Sequence, residues 1–236
     1  MVAVPARRVL MMDADLLWAR DPRHIIAKCE REGVHAHLFR DLWHFVNRTH
    51  EKSSSTSFLY SLHGVDFDMS EFESGVVFFD RASAYRSVAV LRHMLINYGY
   101  YFSFTFGDKD LFYLALKTQG ATITVAEALP QMLGCVYDES RTDREPGVFY
   151  SQSMVQTFDA QPSHIHTTLH PVGDEGFDVP THLCEDGARI GFVQRRLGAK
   201  TVGTVACDVS HAKALDASSV YQHLYACALR DEATYT

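Results

Sequence analysis

The feature that most constrains this chain is a short apolar run that ends in two carboxylates. Residues 9–12, Val-Leu-Met-Met, come directly before Asp13 and Asp15. A run this short and this apolar predicts a buried strand, whereas aspartate is seldom buried unless it is paired or bound to a cation. In an extended segment, side chains two residues apart point to the same side. The pattern therefore predicts a divalent-cation site at the end of a strand, where open α/β sheets bind their ligands.

Three other interpretations of the two aspartates stay open at this point. Asp13 and Asp15 could simply cap a turn, because a three-residue pattern is short. An aspartate-nucleophile phosphatase also places this pattern after a strand, but its sequence usually continues with Gly-Thr, and here Leu16 and Leu17 follow. A calcium loop needs more oxygen ligands and a glycine for its turn, and the sequence supplies neither.

Composition excludes several classes of function. The chain has 236 residues, of which 47% are hydrophobic, as in ordinary globular proteins. Its 29 acidic and 22 basic residues give a net charge of -7 without a long basic run, so nucleic acid is not an expected partner. No apolar run reaches membrane-spanning length, and no signal peptide follows Met1. The five cysteines form no C-x-x-C pair, which argues against a zinc site and leaves one or two disulfides open.

Hydrophobic spacing predicts an α/β chain that forms a single region over residues 1–236. The predicted elements are a helix over 22–32, strands over 34–39 and 76–79, a helix over 82–98, a helix from 107–110 to Gly120, a strand over 121–125, β segments over 148–150 and 154–158, and a helix over 218–229. Residues 52–57 are polar and serine-rich, which predicts an exposed loop or a lid. The helix over 82–98 has an apolar stripe that predicts a side facing the core. The stripe consists of Tyr85, Val88, Leu91, Met94, Leu95 and Tyr98.

Three later segments carry further candidate residues. Gly75 comes just before a predicted strand, and a glycine lets the backbone approach a ligand closely. Asp108 and Asp110 open a helix, where carboxylates are also typical caps. His166 lies in a cluster with two other histidines, and imidazole together with carboxylates suits a Mn²⁺-type site. A single histidine is nevertheless more often structural.

Taken in order, these motifs resemble a metal-dependent glycosyltransferase of the GT-A fold. More narrowly, they are similar to the fungal-type Golgi α-mannosyltransferases of glycosyltransferase family 71. The segments that carry the resemblance are residues 9–15 with Asp21-Pro22, residues 73–80, residues 107–112 and residues 166–169. The resemblance extends over residues 8–170, and residues 171–236 match nothing known to us. Glycogenin-like and galactosyltransferase-like families, which use UDP-sugars, share a looser version of the same order.

The resemblance implies a GT-A-like mixed sheet flanked by helices and a role for each matching residue. The amino-terminal βαβ segment that contacts the nucleotide in this family has no match here, so the resemblance implies a region truncated at its amino terminus. Asp13 and Asp15 would hold Mn²⁺ on the donor diphosphate, and His166 would complete the metal site. The pocket for the sugar and the acceptor would be lined by Glu73, Ser74, Gly75 and Lys109. Asp108, or failing it Asp110, would stabilise the positive charge on the transferred sugar, and Lys109 could pair with either.

By resemblance, the expected activity is retaining transfer of mannose from GDP-mannose to a glycan acceptor. The expected location is the Golgi lumen, although the chain has no targeting signal, which leaves a cytoplasmic location or a fragment open. Two alternatives to this assignment stay open. One is a non-catalytic relative or fragment that binds sugar or metal, and the other is an enzyme that uses a UDP-sugar. A phosphatase would instead release phosphate from simple esters.

Overall fold

The computed structural model describes residues 6–44, 51–66, 70–105, 107–137, 146–167, 179–185, 191–197, 200–216 and 218–224. The chain is a mixed α/β structure with two sheets. It divides into two compact units. Unit 1 comprises Met1–Ala14 and Pro22–Ala128, and unit 2 comprises Asp15–Asp21 and Leu129–Thr236.

Strands and helices alternate in the first half of the chain, and strands dominate the second half. The strands are β1 (Arg8–Met12), β2 (Leu16–Trp18), β3 (Ala36–His44), β4 (Ser70–Asp80), β5 (Ile123–Val125), β6 (Gln131–Val136), β7 (Val148–Phe158), β8 (Gln161–His166), β9 (His182–Cys184), β10 (Gly191–Leu197), β11 (Lys200–Asp208) and β12 (Lys213–Ala214). The helices are α1 (Arg23–Arg31), α2 (Glu51–Leu62), α3 (Arg81–Ile96), α4 (Tyr98–Tyr101) and α5 (Lys109–Thr118). A 3-10 turn covers Val209–His211.

Unit 1 is built on a four-stranded sheet in the order β1-β4-β3-β5. Strand β4 is antiparallel to both of its neighbours, and β5 is parallel to β3. Strands β1, β3 and β5 therefore run in one direction and β4 runs in the other, which makes the sheet mixed, as expected. Val77 and Phe79 of β4 and Leu111 and Leu114 of α5 belong to one buried cluster. Because both elements contribute to this cluster, the sheet and α5 share the core of unit 1.

The strand at residues 9–12 is confirmed, but the prediction that it is fully buried is wrong. Among the described residues, β1 is the edge of its sheet and pairs with β4 alone. Its residues are half-buried, and Met12 is 48% exposed. An apolar run alone does not reveal whether a strand has neighbours on one side or on both.

The predicted loop over residues 52–57 is also wrong, because these residues lie inside α2. Thr56 is fully buried, and its hydroxyl donates to the carbonyl of Phe104 at 2.6 Å. Leu59 and Tyr60 are buried completely as well. Serine is a weak helix former, so the packing of this later part of α2 overrides the local preference of its serines.

Helix α3 lies where the sequence predicts it, and its core-facing stripe is confirmed only in part. Leu91 and Met94 of the stripe are buried, together with Ala84 and Ser87. Tyr85, which the apolar stripe placed in the core, is 60% exposed. Helix α3 ends at Ile96, so Tyr98 belongs to α4, and it is 62% exposed.

The other helices of unit 1 agree with the sequence. Helix α1 ends just before Gly33, and α5 ends just before Gly120. Both glycines have positive φ, +64° and +67°, which is the left-handed conformation that closes a helix with little strain. Strand β5 follows Gly120 and is shorter than predicted, because only residues 123–125 form it.

Unit 2 is an antiparallel β structure. Its main sheet has the order β10-β11-β7-β6-β9-β12, and β8 pairs with both β7 and β2. The two predicted β segments within residues 148–158 are one strand, β7. A two-residue turn, Asp159-Ala160, joins β7 to β8, and both turn residues have positive φ, 55° and 56°. This is the conformation of a type I′ turn, which matches the twist of a hairpin.

One buried hydrophobic cluster of unit 2 is formed by Leu133, Val155, Ile165 and Tyr221. On β6, Gly134 lies against β7 so closely that a Cβ atom there would be 2.0 Å from the carbonyl oxygen of Tyr150. The backbones of β6 and β7 therefore leave room for glycine alone at this position.

Some sequence predictions fall wholly or partly outside the described residues. Residues 220–224 are helical, whereas 225–229 of the predicted last helix lie outside, as does His170. Cys29, Cys135 and Cys184 are buried thiols that form no disulfide. Within the described ranges, no helix combines the length and the apolar character needed to cross a bilayer.

Candidate functional site

Asp13 extends the pairing of β1 with β4 by one residue. Its backbone N–H donates to the carbonyl of Gly75 at 2.8 Å. The N–H of Gly75 in turn donates to the buried carboxylate of Glu73 at 2.5 Å. The structure therefore brings Asp13 next to the segment Glu73-Ser74-Gly75, at the edge where β1 ends.

Asp15 and His166 meet in unit 2. Leu16 of β2 is the pairing partner of His166 of β8. The backbone and the hydroxyl of Thr167 both donate to the carbonyl of Asp15, at 3.1 and 2.8 Å. These contacts leave Nε2 of His166 3.3 Å from Oδ1 of Asp15. The imidazole is 5% exposed and the Asp15 side chain 42% exposed. The contact therefore combines a buried imidazole nitrogen with a carboxylate that solvent can reach.

Asp13 lies two residues before Asp15 on the same stretch of chain, and the two aspartates and His166 form one cluster of donor atoms. One oxygen or nitrogen from each of the three lies within 4.8 Å of the others. Divalent ions hold such ligands at about 2.0–2.2 Å, so two donors on opposite sides of one ion are about 4.2 Å apart. Two carboxylates and an imidazole are ligands that suit Mn²⁺ as well as other first-row divalent ions.

Asp110 and Asp108 have different surroundings. Asp110 is completely buried, its carboxylate accepts the N–H of Phe72 at 3.3 Å, and its carbonyl accepts the hydroxyl of Tyr60 at 2.9 Å. Asp110 therefore ties α5 to the beginning of β4. Asp108 is half-buried at the start of α5 and makes no side-chain cap to the helix. Of the two carboxylates, Asp108 is therefore the one that does not help to anchor the start of α5 through its side chain.

Lys109 forms an ion pair with Asp41, a partner that the sequence did not indicate. Asp41 is buried on β3 and follows Arg40, which pairs with Phe72. Glu73 follows Phe72 on β4, so the ion pair lies at the same end of the sheet as Glu73. Asp41 lies beyond the strand predicted over 34–39, and only the longer β3 of the structure makes it a buried carboxylate that needs a partner.

No protein-family model and no curated protein matches this chain. The case for a function therefore depends on the geometry of the residues themselves. That geometry places one group of candidate residues around Gly75 and Asp13, and a second around Asp15 and His166.

Proposed function

We propose that this chain is the catalytic region of a metal-dependent glycosyltransferase that uses a sugar nucleotide as donor. The observation that carries the proposal is the contact of Asp15 with His166, in a cluster that Asp13 completes. Nothing else among the described residues gathers three such side chains. A half-exposed carboxylate beside a buried imidazole suits an ion that must also bind a ligand from solvent.

In this proposal, Asp13, Asp15 and His166 hold a divalent cation, with Mn²⁺ favoured. The cation would neutralise the diphosphate that leaves as the glycosidic bond of the donor breaks. The protein carries a net charge of -7, so an anionic donor needs such local positive charge. The buried position of His166 limits the directions from which the ion can be approached.

The segment Glu73-Ser74-Gly75 is proposed to line the pocket for the transferred sugar. Its backbone is fixed by the bonds of Gly75 to Glu73 and Asp13, so it can present a rigid surface. Asp108 is the proposed group that stabilises positive charge on the sugar. Asp110 is the second candidate, but its bond to Phe72 supports a structural role. Lys109, through Asp41, would hold the start of α5 in place.

The finer assignment comes from the sequence resemblance alone. It favours a GT-A fold, GDP-mannose as donor, a glycan as acceptor, retention of configuration and a Golgi location. The four-stranded mixed sheet, with β4 antiparallel to its neighbours, is compatible with this fold. A UDP-sugar donor is the alternative, and a nucleotide panel distinguishes the two.

The test is titration calorimetry of GDP and UDP with and without Mn²⁺. We expect nucleotide binding that requires Mn²⁺ and that weakens by about 100-fold or more in Asp15→Ala and His166→Ala, because loss of even an indirect metal contact typically costs 10–100-fold. Asp66→Ala removes an exposed carboxylate elsewhere and serves as the matched control. Unchanged Mn²⁺-dependent binding in both site variants would refute the metal site.

Donor hydrolysis separates the enzyme from the non-catalytic alternative. A parent protein that binds a sugar nucleotide with Mn²⁺ but never hydrolyses or transfers the sugar is a binding protein. If it is an enzyme, Asp108→Asn should keep nucleotide affinity and lose turnover, because only the charge near the sugar is removed. Normal turnover in Asp108→Asn would move the catalytic role to another group.

A further inference from the structure

A cavity in unit 1 lies beside α3, at the amino end of β1, which is the end opposite Asp13. Its volume is about 560 Å³, within the range of small-molecule sites, roughly 300–1,000 Å³. The residues that line it are Ala6, Arg7, Arg81, Ala82, Tyr85, Val88, Ala89 and Arg92. Three of these eight residues are arginines and none is acidic, although the whole chain is acidic.

One side of α3 supplies most of the lining. Arg81, Tyr85, Val88, Ala89 and Arg92 are spaced by three or four residues along the helix, with Val88 and Ala89 adjacent, so they share one side. At about 1.5 Å per residue, Arg81 and Arg92 are roughly 16 Å apart along the axis. The cavity therefore has an arginine near each end and a mostly small, apolar floor between them.

The arginines at the β1 end are held by the backbone and by a carboxylate. The guanidinium of Arg81 donates to the carbonyl of Ala6 at 3.1 Å. The guanidinium of Arg7 lies 3.3 Å from the carboxylate of Asp80. The planar fork of a guanidinium group matches the geometry of phosphate oxygens.

Tyr85 gives the cavity a flat aromatic surface. Its ring is exposed, and the guanidinium of Arg86 lies 5.7 Å from the ring centroid. The Nε of Arg86 also donates to the hydroxyl of Tyr85 at 3.0 Å. These contacts orient an exposed ring that is not packed in the core. The ring lies beside the small side chains of Ala89 and Val88.

We propose that this cavity binds a small phosphate monoester carried on a flat ring. The phosphate would bind the arginines, and the ring would lie on Tyr85 and the small residues of α3. This site is separate from the proposed metal site and does not depend on it. The ligand class follows from the combination of arginine forks with an apolar, aromatic floor.

The test is titration calorimetry with phenyl phosphate in the presence of EDTA, with inorganic phosphate as the anion without a ring. We expect phenyl phosphate to bind more tightly than inorganic phosphate. Arg92→Glu should weaken it by about tenfold or more, the cost of one charge-assisted contact. Tyr85→Ala should remove the preference for phenyl phosphate. Both residues are exposed, so neither change removes core packing.

Two controls make the result decisive. Arg31→Glu makes the same charge change on the exposed surface of α1 and should alter affinity by no more than about twofold. Asp13→Ala should have no effect. Absence of binding, equal losses in Arg92→Glu and Arg31→Glu, equal affinity for both phosphates, or loss of binding in Asp13→Ala would each overturn the proposal.

Discussion

Unit 1 and unit 2 hold their candidate residues by different means. In unit 1, Ser74 and Gly75 lie on β4 of a sheet whose core is completed by helices, and hydrogen bonds to Glu73 and Asp13 fix their backbone. In unit 2, His166 ends a strand that β2 and β7 flank, and the residue before it, Ile165, belongs to a buried cluster. The comparison indicates that loosening the core beside His166 should disturb ligand geometry more than loosening the core of unit 1, because Ile165 is bonded directly to a candidate ligand.

The largest expected effect comes from emptying each core in turn. Leu114→Ala in α5 and Ile165→Ala in β8 both remove a completely buried side chain, and each should lower the free energy of unfolding by about 2–5 kcal/mol. Ile165 is adjacent to His166, so Ile165→Ala should also weaken Mn²⁺ affinity. Urea unfolding and Mn²⁺ titration of the folded variants provide the measurement. An equal loss of Mn²⁺ affinity in Leu114→Ala would contradict the comparison.

A smaller effect separates the two carboxylates at the start of α5. Asp110→Ala leaves the N–H of Phe72 without its carboxylate acceptor, which should cost about 1–3 kcal/mol of stability. Asp108→Ala should change stability by no more than about 0.5 kcal/mol, because its side chain does not cap the helix. Thermal unfolding of the pair is the measurement. Similar losses in both variants would show that Asp108 also has a structural role.

The smallest effect concerns pH. Burial alone would raise the pKa of Asp80, but hydrogen bonds from Arg7 and from the N–H groups of Ser83 and Ala82 outweigh it, so the pKa is lowered. The stability that this charge contributes is therefore complete above the unfolded pKa of about 4 and is lost as pH falls through the lower folded pKa. Asp80→Asn, which can still cap α3, should flatten the loss of stability in acid.

Asp208 in unit 2 offers the comparison for this pH effect. Its pKa is also lowered, by hydrogen bonds from the side chain and the backbone of Ser210, but it caps only a 3-10 turn. Asp208→Asn should therefore change the acid dependence less than Asp80→Asn. Urea unfolding at a series of pH values below 5 measures both, and a larger effect at Asp208 would reverse the expected order.

For unit 1, the sequence predicted where the helices lie better than it predicted which of their residues are buried. Helices α1, α3 and α5 have local signals, namely helical spacing and a glycine after α1 and α5. The exposure of Tyr85 had no such signal, because its spacing is the same as that of a core residue. The serine-rich part of α2 was missed, since burial of Thr56 and Tyr60 depends on residues far away in sequence.

At the candidate site, prediction from the sequence was limited mainly by contacts between residues that are far apart along the chain. Lys109 and Asp41 are 68 positions apart, and no local pattern pairs them. Asp15 and His166 were grouped by the family resemblance, and residue spacing alone did not group them. Their 3.3 Å separation depends on the register of β2 with β8, which single-sequence periodicity does not specify.

The two-residue turn Asp159-Ala160 restricts insertions and deletions between β7 and β8. Phe158 pairs with Gln161 directly across it, and a register shift between Gln156 and Thr157 then places Gln156 opposite His164. The turn and this shift together fix which residues of β8 face each side of the sheet. Inserting one residue would shift the register and turn the imidazole of His166 to the opposite face. Working descendants of this chain should therefore keep the count from the turn to His166 fixed, even while residues change type. Replacing Ala160 by glycine, which accepts this backbone readily, is a change that evolution could make there freely.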